Sequence, residues 1–215
     1  YDAQDLVDGD RYVYGETKEV FEILQPLDTV QLEKDLIKLK DKNIDSLAIV
    51  FIHGFNFQRH EKQAGEIAKK LGFKNISLSH EVLPVLKAVT RGQSTVVDAY
   101  LTPILREYVD NFLSGLAPDF EKHARIEFMQ SDGCLCSWRK FTGLKSLLSG
   151  PAGGVVGEAL TCYDDKVKIP IIGCDVGGTS LDCLRFAGEY EFSFESITAG
   201  IKIAAPQLDI NTVAA

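Results

Sequence analysis

Gly173-Cys-Asp-Val-Gly-Gly-Thr-Ser-Leu-Asp-Cys-Leu-Arg-Phe-Ala-Gly188 is the stretch on which the reading of the fold turns. An apolar run (Ile169, Ile171, Ile172) leads into Asp175, followed by Gly177, Gly178, Thr179, Ser180 and Asp182. The pattern predicts a buried strand, a tight turn and a second strand, together covering 170–187. Glycine tolerates positive φ and lets backbone N–H groups come close to a ligand. Successive N–H groups in such a turn form a concavity that favours anions. Carboxylates at its edges would repel a bare phosphate but suit a magnesium ion that travels with one. The residues point to a nucleotide phosphate with a divalent metal, and they are equally compatible with an ordinary glycine-rich hairpin.

A second glycine-rich element lies upstream, from Leu148 through Ser149, Gly150, Pro151, Ala152, Gly153 and Gly154 to Gly157. It opens a helix expected over 153–164, with Ser149 as a candidate cap and Pro151 suited to the first turn. Free N–H groups and the helix dipole there favour an anion; close helix packing would use the same glycines. Two such elements so near in sequence raise the expectation that both face one ligand.

Working outward, 29–42 reads as an amphipathic helix and Asp45 to His53 as a buried strand. Helical spacing returns over 59–71, stopped by Gly72, and Lys74 to Ser79 is a short strand. Helix and strand alternating at this spacing imply a parallel α/β layer. A long helix is expected from Ser94 to Leu113, burying Val96, Val97, Leu101, Ile104, Leu105, Val109 and Phe112, with a kink at Pro103. Thr90-Arg91-Gly92 breaks the pattern, so domains of 1–92 and 93–215 are expected. Arg125 to Gln130 and Glu189 to Ser196 read as further strands. Met129-Gln130-Ser131-Asp132-Gly133 faces a site or closes a turn. His53 and His60 are candidates for acid–base work or for structural histidines, Arg91 for a phosphate contact or a solvated loop. Trp138 is expected to pack; His80 and His123 carry no supporting pattern.

With 215 residues the chain can bury a sizeable core in one or two domains. A formal charge of −8 gives no basic footprint for nucleic acid. No run of 18 apolar residues suggests a membrane span. Both ends look internal to a longer protein. The cysteines are Cys134, Cys136, Cys162, Cys174 and Cys183, with no CxxC pair. Reduced thiols in a cytosolic compartment are the default, and a zinc site is disfavoured.

Several segments together resemble the hydantoinase/oxoprolinase family: Ile52-His53, Val89 to Gly92, Val97 to Pro103, Phe128 to Gly133, Leu148 to Gly157, Asp175 to Ser180 and Ala205 to Ala215. They follow family order at similar spacing, and the last favours the family's oxoproline-acting members over bacterial hydantoinases. The resemblance implies an α/β fold like that of the actin/hexokinase/heat-shock ATPases, here incomplete. It implies ATP-driven opening of the lactam of 5-oxoproline to glutamate, with ATP and Mg2+ as cofactors, by a cytoplasmic homodimer of glutathione metabolism. The alternatives are an ATP-dependent hydantoinase acting on a related cyclic amide and a non-catalytic ATPase-fold module. Carried over by position, Gly177, Gly178, Thr179 and Ser180 would hold phosphate oxygens. Asp175 would hold the metal with support from Asp182, and Gly150, Gly153 and Gly154 would line the nucleotide or substrate cleft. Asp209 and Asn211 match the lead-in to a further family segment. Where family members usually carry Gly-Gly this chain has Gly133-Cys134; Leu181 stands for a usual Thr, and Cys183 for a usual Val. The piece by itself is expected not to catalyse.

Overall fold

The computed structural model describes residues 11–198 and 200–214. They belong to two compact units, Tyr1–Pro103 and Ile104–Ala215.

In the first unit, β1 (Tyr12–Tyr14) and β2 (Val20–Glu22) form a short antiparallel hairpin. Helix α1 (Thr29–Asp41) starts where Asp28 Oδ1 accepts from the Gln31 N–H at 2.9 Å, an N-cap that satisfies one orphan donor. Strand β3 (Ser46–Ile49), helix α2 (Arg59–Lys70) and strand β4 (Asn75–Leu78) follow. β3 and β4 pair in parallel, Leu47 opposite Ile76, as the alternating pattern predicts. Leu36, Ala68 and Phe73 form the core, with Leu32, Leu47 and Ile76 packed on it. Gly72, at φ 81°, ends α2 in the left-handed conformation. A single turn, α3 (Ser79–Val82), follows β4.

Two expectations need correction here. The apolar run from Asp45 does not stay extended to His53: β3 stops at Ile49. The backbone of Phe51 and Ile52 is instead bonded to the side chains of Glu61 and Arg91. The long helix, α4 (Ala88–Ser114), begins six residues before Ser94 and contains Thr90-Arg91-Gly92. Its early turns bury a polar stripe, Arg91, Ser94, Thr95 and Asp98, which a hydropathy period takes for solvent. Of the apolar side chains expected inside, Val109 is buried, while Val96, Ile104 and Phe112 are exposed.

In the second unit, β5 (Glu127–Met129) and β6 (Leu135–Ser137) pair antiparallel across the Asp132-Gly133 turn, Gly133 having φ 80°. Helix α5 (Ser149–Cys162) starts earlier than the expected 153. Strands β7 (Ile171–Val176) and β8 (Ser180–Phe186) form the anticipated hairpin. The last strand, β11 (Ile210–Ala214), joins its far edge, giving the order β11-β8-β7. Between them, β9 (Phe192–Thr198) and β10 (Ile201–Leu208) make a separate antiparallel pair. β9 begins three residues after the expected Glu189. The register of this pair shifts between Ala204 and Gln207, where Pro206 has no N–H to donate. Ala152, Val155, Leu184 and Leu208 form the core of this unit, with Met129 and Ile210 against them. Among the described residues no helix is long and apolar enough to cross a membrane.

Candidate functional site

The β7–β8 hairpin sets six residue pairs directly opposite, among them Gly173 with Leu184, Cys174 with Cys183, Asp175 with Asp182, and Val176 with Leu181. The Gly177 N–H donates to the Ser180 carbonyl at 2.9 Å and closes the turn. Neither Gly177 nor Gly178 lies in the left-handed region. What Gly178 supplies is open space. A Cβ on Gly178 would meet nothing within 4 Å, and one on Gly177 would come within 3.3 Å of the Ser180 carbonyl.

Strand pleating then divides the side chains. Asp175, Asp182 and, across from it on β11, Thr212 share one face; Val176, Leu181 and Val213 share the other. Thr212 Oγ1 donates to Asp182 Oδ1 at 2.6 Å. Leu181 therefore lies on the face away from the carboxylates. Asp175 is exposed and Asp182 half-buried. Like charges directly opposite on a ladder destabilise it, and a cation between them reverses that sign. Magnesium is commonly held by one or two carboxylates with water and phosphate oxygens completing the shell, a donor set this pair fits. Among the described residues no group of three or more His, Cys, Asp and Glu converges, so a cage built wholly of such side chains is not on offer.

Helix α5 lies across the carboxylate face. Tyr163, just beyond its last turn, sits edge-on to Phe186 with ring centroids 5.0 Å apart, and Phe186 pairs with Ile171 at the open end of the hairpin. One turn earlier, the Glu158 carboxylate occupies the space that a Cβ on Gly173 would need. The helix thus passes Gly173 and ends at the open end, and its start is fastened through Ser131 to Leu208, just ahead of Ile210, which pairs with Leu184. Leu148, not Ser149, holds the N-cap position, and its side chain makes no cap bond. The first turn offers the N–H groups of Ser149 and Gly150, Pro151 having none. A Cβ at Gly150, Gly153 or Gly154 would meet nothing within 4 Å, so close packing among the described residues does not account for these three glycines.

Ser131 holds the start of α5 in place. This buried residue accepts from the Leu148 N–H through Oγ at 2.9 Å and bonds the Lys145 carbonyl through both N and Oγ. Its own carbonyl receives the Leu208 N–H at 2.8 Å. Of the two readings of the segment from Met129 to Gly133, the turn is realised. The Asp132 carboxylate accepts from the Cys134 N–H at 2.9 Å. Trp138 is half-buried with the Arg139 guanidinium over its ring.

The first unit contains a polar cluster that the sequence did not reveal. Glu61 is fully buried and accepts from the Phe51 N–H, the Ser79 hydroxyl and the His80 N–H, with His80 Nδ1 2.6 Å away. Burial raises its pKa, but the hydrogen bonds from Ser79, His80 and Phe51 outweigh that and hold it below the usual carboxylate range. Arg91, also fully buried, donates to Ser79 Oγ and to the carbonyls of Val85, Leu86, Phe51 and Ile52. Both earlier readings of Arg91, a phosphate contact and a solvated loop, are thereby replaced: it fastens the loop after β3. His53, on that loop, is exposed, its ring 5.9 Å from Phe21. His60 packs edge-on to Phe57 at 4.9 Å, and burial followed by Arg59 lowers its pKa. The i, i+3, i+4, i+7 spacing of Arg91, Ser94, Thr95 and Asp98 is the one signal in the sequence that could have disclosed this polar interior.

The hydantoinase/oxoprolinase family model matches residues 91–215, and the model for that family's N-terminal region matches residues 4–72. The chain belongs to the hydantoinase/oxoprolinase family. It is 47% identical over 202 residues to a 5-oxoprolinase of Saccharomyces cerevisiae, a match covering 94% of this chain and 16% of that protein. Among solved structures, nucleotide-free acetone carboxylase superposes with a TM-score of 0.73 at 22% identity, covering 89% of this chain and 28% of that one. The ATP-dependent caprolactamase of Pseudomonas jessenii gives 0.71 at 24% identity, covering 88% and 28%. These likenesses establish the mixed α/β fold. The chain spans about 16% of the length of the yeast relative.

Proposed function

We propose that this chain is part of an ATP-dependent cyclic-amide hydrolase and that the whole protein opens 5-oxoproline to glutamate, with release of ADP and phosphate. The observation that carries the reading is the Asp175–Asp182 pair, set across one hairpin face beside an open glycine turn. Membership in the family and the 47% identity to a 5-oxoprolinase support the choice of substrate.

In this reading the N–H groups of Gly178, Thr179 and Ser180 cradle phosphate oxygens, Gly177 closing the turn through its own N–H, and Asp175 and Asp182 hold Mg2+, which neutralises phosphate charge when bound. Gly150, Gly153 and Gly154 leave the start of α5 clear for an anionic group of nucleotide or substrate. An amide carbon is a poor electrophile. Transfer of the γ-phosphoryl group to the lactam oxygen gives that oxygen leaving-group character and opens the ring carbon to water. Catalysis then rests on positioning and on stabilising charge. A cytoplasmic homodimer belongs to the same proposal.

The test is made on the full-length protein. ADP release dependent on 5-oxoproline, with glutamate formed in equal amount, is expected. Asp182→Asn should lower both together. Nucleotide turnover with no dependence on any lactam would refute the reading. Preference for hydantoin over 5-oxoproline would move the substrate to the related ring.

A further inference from the structure

We propose that Cys174 and Cys183 form a reversible thiol–disulfide site on the face of the hairpin opposite the carboxylates. The two residues are directly opposite in register, and their sulfurs are 3.9 Å apart as free thiols. Ladder pairs alternate between hydrogen-bonded and non-hydrogen-bonded positions. Gly177 and Ser180 form a hydrogen-bonded pair, so Val176–Leu181 is not one, Asp175–Asp182 is, and Cys174–Cys183 is not. At non-hydrogen-bonded positions side chains approach most closely, with Cα atoms about 4.5 Å apart, inside the span a disulfide bridges. Closing the sulfurs to about 2.05 Å therefore needs side-chain rotation and no strand movement.

The surroundings also suit exchange chemistry. Cys174 is exposed and Cys183 half-buried. Their face is open, with Ile172, Val176 and Val213 exposed, and it also carries Arg185, opposite Ile172, and Asn211, opposite Cys183. Of the other two neighbouring cysteines, Cys134 precedes β6 and Cys136 lies opposite Phe128, so neither faces a cysteine across a ladder. The co-reactant is a small-molecule disulfide. The Cys174 thiolate attacks one of its sulfurs and expels the other half as a thiol, leaving a mixed disulfide. Cys183 then attacks the Cys174 sulfur and expels the second half as a thiol. Two protein thiols are oxidised to one disulfide, the added disulfide is reduced to two thiols, and the two protons leave with them. The new bond would tie β7 to β8 one residue from Asp175 and Asp182.

The experiment needs no activity, so its outcome is separate from that of the functional proposal. Reduced full-length protein is treated with oxidised glutathione, quenched with N-ethylmaleimide, digested and mapped by mass spectrometry. The expected result is a peptide linking β7 to β8, with alkylation of Cys174 and Cys183 reduced at least fivefold and restored by dithiothreitol. In Cys183→Val the link should vanish and Cys174 should accumulate as the glutathione adduct. Full alkylation of both residues in the wild-type protein, or pairing of either with a different cysteine, overturns the proposal. So does a Cys174 adduct that persists in the wild-type protein without resolving.

Discussion

Replacing Arg91 by lysine keeps the charge and removes the fork, and the cost can be worked from its contacts. Arg91 donates from Nε to Ser79 Oγ at 2.9 Å, from Nη1 to Val85 O at 2.6 Å and Leu86 O at 3.4 Å, and from Nη2 to the carbonyls of Phe51 and Ile52. A lysine ammonium has three donors radiating from one atom, so at least two of these five bonds are lost. The 3.4 Å contact is the weakest and can be discounted, which leaves one to two charged hydrogen bonds. At about 1.5–3 kcal/mol each, the loop after β3 should lose about 1.5–6 kcal/mol of local stability. That is roughly a 10- to 20,000-fold change in its opening equilibrium. Amide hydrogen exchange reads it directly at Phe51, Gly54, Asn56 and Phe57, whose N–H groups are bonded to Glu61, Phe51, His53 and His53 respectively. Exchange there should accelerate accordingly, with the α1 amides unchanged. Unaltered protection at Phe51 and Gly54 in Arg91→Lys would show that the guanidinium does not hold the loop.

Gly178→Val should leave folding intact, since a Cβ there meets nothing within 4 Å, yet reduce ATP hydrolysis by the full-length protein at least 100-fold; retained turnover would remove the turn from the phosphate site. Asp175→Asn should raise the Mg2+ concentration needed for half-maximal turnover about tenfold, measured by titration at saturating ATP. Gly188 is a poor position for a neutral control: at φ 98°, with a Cβ 2.8 Å from the Tyr163 hydroxyl, Gly188→Ala should cost about 1–2 kcal/mol in denaturant unfolding. Gly157→Ala, on α5 with nothing within 4 Å, should gain up to about 1 kcal/mol in the same assay. Because hydrogen bonds hold the Glu61 pKa below its unfolded value, its contribution is present above the unfolded pKa and lost as pH falls through the folded one. Exchange protection of the Phe51 N–H should therefore weaken below about pH 4, and Glu61→Gln should flatten that dependence.

What the sequence disclosed followed from local chemistry. The helix over 29–42 has a cap and a period, and Gly72 is a recognisable stop. Asp175 to Asp182 carries its hairpin in its turn residues, so β7 and β8 were legible. What it hid depends on partners far along the chain. Glu61 is charged on a helix and looks solvated until Ser79, His80 and Arg91 are brought around it. The start of α4 was missed for the same reason: its buried stripe is polar, and the hydropathy period vanishes where the interior is hydrogen-bonded. Ser131 reads as a turn residue and proves to hold the start of α5 from 17 residues away. Strands β10 and β11 were not anticipated. Pro206 argues against a strand, and Ile210 to Ala214 is too short to declare its pairing. At the candidate site, the fastening of the start of α5 to Leu208 through Ser131 joins segments far apart in the chain, which no local pattern encodes.

The pleat of β7 and β8 makes this segment sensitive to length in a way that it is not sensitive to composition. One residue added between Val176 and Leu181 would slip the register, and every side chain of β8 would change face. Asp182 would turn toward the side now held by Leu181, and Thr212 would lose the carboxylate it bonds. Substitutions in the open turn can be absorbed singly, whereas a one-residue insertion or deletion would dismantle the carboxylate pair and the facing cysteines together. Variants of this hairpin that preserve its chemistry should therefore differ in letters while keeping the count between Asp175 and Asp182 fixed.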